Sequence, residues 1–149
     1  MSEIITQFEQ TADDILALKG HTEAALTEPI AEGKWSAREI IAHMQYWDQY
    51  NLEHIVPHMK QGKELPSFPD HDAQNEEAIL FIKDDSMEAL FEKFVTTRRD
   101  LVEHLRAVDP EVTFTFGKGK REINRDTFTE IFVKHDQHHL EQMQTKLDR

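Results

Sequence analysis

The sequence contains no cysteine. This excludes a disulfide framework, a thiolate nucleophile, an iron–sulfur cluster and a zinc finger built on thiolates. Basic residues are few: 17 Lys and Arg stand against 29 Asp and Glu, giving a formal charge of −12. Affinity for nucleic acid comes largely from cations that neutralise phosphates, so neither DNA nor RNA is an expected partner. Glycine is scarce, and the 5 present form neither G-x-G-x-x-G nor a Walker A loop. No serine lies in a G-x-S-x-G elbow. No run approaches the ~18 apolar residues needed to span a bilayer, and Met1-Ser2-Glu3-Ile4-Ile5 carries no basic stretch. The expectation is a cytoplasmic protein with no membrane partner.

What remains is a chain of 149 residues with 9 Phe, 2 Trp and 9 His. That length fits a single domain, residues 1–149, able to bury roughly 70% of its unfolded surface. Apolar residues recur at helical spacing in four stretches, and period-2 alternation is nearly absent. The first stretch runs from about Ile4 to Leu26, through Ile5, Phe8, Ala12, Ile15 and Leu16. The second opens on Trp35-Ser36-Ala37-Arg38-Glu39-Ile40. Here Ser36 and Glu39 can form a capping box, and Trp35 with Ile40 a hydrophobic staple. This helix should run to near Pro57, which removes a backbone donor.

A long loop is expected from Gln61 to Asp72, then a short helical stretch over about Ala73 to Ile82. The third long helix starts near Asp85-Ser86 and carries Leu90, Phe91, Phe94, Leu101 and Leu105. Residues 112–120 alternate briefly, as a small hairpin or an irregular loop. The fourth helix is expected from about Thr127, where Thr127-Phe128-Thr129-Glu130 fits a second capping box. The fold class is therefore all-α: a four-helix bundle with a long connection between the second and third helices.

The chemistry concentrates in the fourth helix, at His135-Asp136-Gln137-His138-His139. His135 and His139, four residues apart, share one helical face and have the spacing two imidazoles need to grip one metal ion. On a helical wheel His139 lies roughly 45° from the centre of the apolar face, His135 roughly 90° and His138 roughly 150°. His138 should face solvent. The pattern is H-E-x-x-H with Asp136 in place of Glu, but a zincin takes its third ligand from downstream and only ten residues follow. Three upstream elements compete to complete a site. His54 and His58 are broken by Pro57 and read as a surface pair, and His104 reads as a half-buried histidine. His43 lies near the edge of an apolar face, which by itself does not single it out.

The string Gly33-Lys34-Trp35-Ser36-Ala37-Arg38-Glu39-Ile40-Ile41-Ala42-His43-Met44 resembles the first signature of the DinB/YfiT-like superfamily of metal-binding helical bundles. His135-Asp136-Gln137-His138-His139-Leu140-Glu141-Gln142-Met143 resembles the second, and Asp72-Ala73-Gln74-Asn75-Glu76-Glu77 a weaker middle segment. The resemblance spans essentially the whole chain. It implies that His43, His135 and His139 bind one divalent metal ion. Three neutral imidazoles with an open position suit Zn²⁺ or Ni²⁺ foremost, with Fe²⁺ and Cu²⁺ also compatible, and not Mg²⁺ or Ca²⁺. A ferritin-type di-iron centre is excluded because no E-x-x-H occurs in the chain.

Asp48 and Asp136 both fall toward apolar helix faces. Each is a candidate to accept the outer N–H of a metal-bound imidazole, or else to pair with a buried Trp, Tyr or Arg. Trp47 and Tyr50 flank the His43 face, as pocket lining or as plain packing. The resemblance implies a metal-dependent enzyme: a hydrolase, or a transferase joining a low-molecular-weight thiol such as bacillithiol or mycothiol to an electrophile. Its partner would be a small-molecule substrate. The alternative is a non-catalytic metal-binding stress-response bundle acting through a protein partner. A homodimer is also expected, since bundles of this kind pair through helix faces.

Overall fold

The computed structural model describes residues 3–66, 70–116 and 121–147. Its frame is four long helices: α1 (Glu3–Leu16), α3 (Ala37–Tyr50), α5 (Met87–Ala107) and α6 (Arg125–Leu147). Two short helices complete the set, α2 (Glu23–Thr27) and α4 (His71–Phe81). The expected four-helix bundle is present, and α4 lies in the long connection between α3 and α5, packed on α3.

The start of α3 follows the sequence closely. Ser36 Oγ accepts from the Glu39 amide at 3.2 Å, and the Glu39 carboxylate accepts from the Ser36 amide at 3.1 Å. Past Tyr50 the helix widens into a π turn over Asn51–Ile55 and tightens to a 3₁₀ turn over Val56–His58, where Pro57 ends it.

Two boundaries differ from expectation. The stretch from Ile4 to Leu26 is not one helix. It breaks at a 3₁₀ turn over Ala17–Gly20, and His21 is extended. Thr22 then caps α2 by accepting from the Ala25 amide at 3.1 Å, so glycine followed by a good cap overrides the apolar periodicity. The fourth helix starts two residues before Thr127. Asn124 is its cap, accepting from the Thr127 amide at 2.9 Å and from the Thr127 hydroxyl at 3.1 Å. Thr127 donates where a capping box would have it accept.

The described part of the alternating stretch contains a strand that pairs with one just beyond it. Strands β2 (Phe114–Phe116) and β3 (Glu122–Ile123) pair antiparallel, and β1 (Glu64–Leu65), inside the expected loop, pairs parallel with β2. Residues 117–120 of the alternating stretch, and residues 67–69 of the expected loop, lie outside the described residues.

The core falls into two apolar clusters. One holds Ile15, Ile40, Ile41, Phe91, Phe94 and Met143. The other holds Phe8, Ile55, Leu101, Phe114, Phe128 and Val133. On α5 the first cluster ends at Val95 and the second begins at Leu101, with fully buried Arg98 between them. On α3 and α6 the corresponding gaps are filled by Asp48 and Asp136, both buried. A charged layer thus crosses the middle of the bundle, next to His135. Among the described residues no helix is long and apolar enough to cross a membrane.

Candidate metal centre

Helix α3 carries His43 and helix α6 carries His135 and His139, and the bundle brings the three rings together. One ligand atom from each can be chosen so that all lie within 4.8 Å of one another. The ring centroids are 5.5 Å apart for His43–His135, 4.9 Å for His43–His139 and 4.5 Å for His135–His139. His43 is buried, His139 half-buried, and His135 keeps an exposed edge. Among the described residues no further histidine or carboxylate joins the three.

Hydrogen bonds decide which nitrogens face inward. Asn75 Oδ1 lies 2.8 Å from His43 Nδ1 and 3.1 Å from Trp47 Nε1. An indole N–H can only donate, so the Asn75 atom it meets is the amide oxygen. His43 Nδ1 must then carry the proton and donate to the same oxygen, which leaves Nε2 with a free lone pair. On α6, His139 Nδ1 donates to Gln142 Oε1 at 3.1 Å, and its Nε2 faces His135 Nε2 at 3.3 Å. Ligand nitrogens on a tetrahedral zinc with bonds of 2.0–2.1 Å are themselves about 3.3 Å apart. The donor set therefore fits a small divalent ion without rearrangement of that pair.

The electrostatics agree. Burial pushes His43 down to about 4, against the opposing pull of its Asn75 hydrogen bond. Burial, then the neighbouring His135 and His43, take His139 down to about 4 as well. His135 is lowered too, chiefly by burial. All three are neutral at physiological pH, the state a metal requires.

Asp48 and Asp136 are both claimed by Arg98. Its Nε donates to Asp48 Oδ2 at 2.7 Å, its Nη2 to Asp48 Oδ1 at 3.2 Å, and its Nη1 to Asp136 Oδ2 at 2.8 Å. Nη1 also donates to the Phe8 carbonyl at 2.9 Å, and the guanidinium stacks 3.8 Å from the centre of the Phe8 ring. Burial pushes Asp48 up to about 6, with Arg98 pulling the other way, and it raises Asp136 likewise. Burial alone would lower Arg98, but the two carboxylates outweigh it and hold the guanidinium firmly charged. The acceptor expected for an imidazole N–H is instead Asn75.

Of the other histidines only His71 faces the site. His138 is exposed, as the wheel implies. His54 sits 3.8 Å from Glu53 on the surface, and His58 is exposed. His104 is exposed and not half-buried; its Nδ1 meets the Asp100 carbonyl at 2.8 Å. His71, which the sequence did not single out, stands edge-on to Trp47 with centroids 5.2 Å apart. It lines a cavity of about 450 Å³ beside His43 and His135, walled by Trp47, Ile131 and Phe132 with Lys134 at the rim. Ile131 is 49% exposed and belongs to this cavity, not to the core. Tyr50 packs edge-on to Trp47 at 6.0 Å.

The sequence matches the DinB superfamily over residues 7–143, and the chain belongs to that family. Its fold is similar to that of YfiT from Bacillus subtilis, described as a probable metal-dependent hydrolase with an unusual four-helix bundle topology. The TM-score is 0.76 at 15% identity, covering 98% of this chain and 87% of that one. It is also similar to TT2238, a four-helix bundle protein, with a TM-score of 0.67 at 20% identity, covering 96% of this chain and 97% of that one. No curated protein matches the sequence.

Proposed function

We propose that the chain is a metal-dependent enzyme in which His43, His135 and His139 hold one divalent ion, Zn²⁺ or Ni²⁺ foremost. The reaction would be hydrolysis of a small molecule or transfer of a low-molecular-weight thiol to an electrophile. An ion with three imidazole ligands and a free position acts as a Lewis acid and brings the pKa of a water or thiol toward neutrality. The chain's own residues do the rest. Asn75 and Gln142 fix the tautomers of His43 and His139, and Trp47 and Phe132 line the approach with apolar surface.

The observation that carries this reading is the cavity of about 450 Å³ beside the imidazoles. A purely structural ion is closed by a fourth protein ligand, whereas a catalytic one keeps a position and a space for substrate. Its likeness in fold to YfiT, described as a probable metal-dependent hydrolase, supports the same reading. The test is a screen of Zn²⁺- and Ni²⁺-loaded protein against ester and amide substrates, and against thiols paired with electrophiles. Turnover that disappears in His43→Ala is expected. Turnover that survives His43→Ala unchanged contradicts the assignment.

A further inference from the structure

Arg98 carries one positive charge and is flanked by two carboxylates, so with both ionised the layer Asp48–Arg98–Asp136 has a formal charge of −1 at the centre of the bundle. No other cation is hydrogen-bonded to Asp48 or Asp136 among the described residues. An unbalanced buried charge is costly, and a well-packed apolar layer would serve stability at least as well. The placement of the charge is informative. Asp136 adjoins His135 in the chain. Asp48 adjoins Trp47, whose indole shares the Asn75 oxygen with His43. The negative layer therefore borders the histidine set on the His135 side, where Asp48 lies close enough for its charge to act on that imidazole. A dication on neutral ligands has the opposite imbalance, with both its charges uncompensated in a partly buried site.

We infer that the Asp48–Arg98–Asp136 layer is the charge partner of the ion held by His43, His135 and His139, acting across space and without ligating it. The inference rests on the three-histidine reading. Each imbalance relieves the other, so the layer favours the occupied site and disfavours the empty one. Arg98 is also a positioning residue. Helices α3 and α6 both pack chiefly on other helices, and Arg98 ties Asp48 of α3 to Asp136 of α6.

The test separates charge from geometry. Asp136→Asn keeps an oxygen that can accept from Arg98 Nη1 and removes one negative charge, leaving Asp48 and Arg98 as a neutral pair. Chelator-treated wild type and Asp136→Asn are titrated with Co²⁺ at neutral pH, reading both affinity and the visible absorption band, which reports coordination geometry. The expected result is one Co²⁺ per chain in both, an unchanged band, and affinity about 10–100-fold weaker in the variant, the size typical of groups just outside a metal's ligands. Asp48→Asn is the second variant, with the same expectation. Binding within about twofold of wild type in both variants overturns the inference while leaving the metal reading intact. A shifted band with weakened binding, or failure of both variants to fold without metal, makes the layer a strut and overturns the charge role. A wild type that takes up no Co²⁺ overturns the three-histidine reading and this inference with it.

Discussion

Asn75 accepts a 2.8 Å hydrogen bond from His43 Nδ1, and that contact across 32 residues settles which nitrogen of His43 is left for a metal. The same oxygen is pinned by Trp47, so it cannot turn away without freeing two donors at once. Outer partners of this kind orient the ring and raise its basicity. Asn75→Ala is expected to weaken Zn²⁺ binding by about 10–100-fold, whereas Asn75→Asp, which keeps an acceptor in place, should retain most of it. Calorimetric titration checks both. Equal affinity in wild type and Asn75→Ala contradicts the orienting role.

Acid should act on the metal-free protein through its buried imidazoles. His43 and His139 sit at about 4 in the folded chain, against an ordinary value of 6.5. The unfolded chain thus binds more protons between those values. Their contribution to stability is fully present above 6.5 and is lost as pH falls from 6.5 through about 4. Asp48 works the other way, because burial raises it to about 6 and the folded state then binds its proton first. The clean measurement is the difference between wild type and His43→Asn in thermal melts with chelator at several pH values. Wild type should lose more melting temperature than the variant on acidification from pH 7 to 5. Parallel loss in the two proteins contradicts the assignment.

Arg98 is the side chain whose removal should damage the fold most. Arg98→Met leaves two carboxylates buried without a cation, and breaking a buried pair in this way typically costs about 3–5 kcal/mol. Chemical denaturation of the metal-free proteins measures it. A loss below about 1 kcal/mol, the size of an exposed ion pair, contradicts the view that Arg98 is a buried partner of both carboxylates.

The parts of this architecture that depend on short-range chemistry were legible in the sequence. Ser36 and Glu39 lie three residues apart and cap one another as their spacing dictates. His135, His138 and His139 fall inward or outward as the helical wheel places them. Thr127 misled because Asn124, three residues earlier, was the available cap.

What depends on distant pairing was hidden. Asn75 lies in a short helix beyond a long loop, and nothing local marks it as the partner of His43. Arg98 is followed by Arg99 and Asp100, so nothing adjacent in the chain sets it apart. Its register was the missed signal, since Phe91, Phe94, Arg98, Leu101 and Leu105 form one unbroken stripe on α5, and all five are buried. A charged residue on that stripe needs a buried partner, and Asp48 and Asp136 were the two carboxylates waiting on facing helices.

The central claim is that His43, His135 and His139 hold one divalent ion, and its sharpest test lies in two adjacent residues of α6. His139 Nε2 stands 3.3 Å from His135 Nε2, whereas the neighbouring His138 points to solvent. His139→Ala deletes a ligand and leaves two, while His138→Ala removes an exposed side chain and should change stability by no more than about 0.5 kcal/mol. Calorimetric titration of chelator-treated wild type, His138→Ala and His139→Ala with Zn²⁺ is the measurement. One ion per chain in wild type, near-equal affinity in His138→Ala and collapse of binding in His139→Ala is the predicted result. Equal loss in the two variants, or no uptake by wild type, would contradict the site.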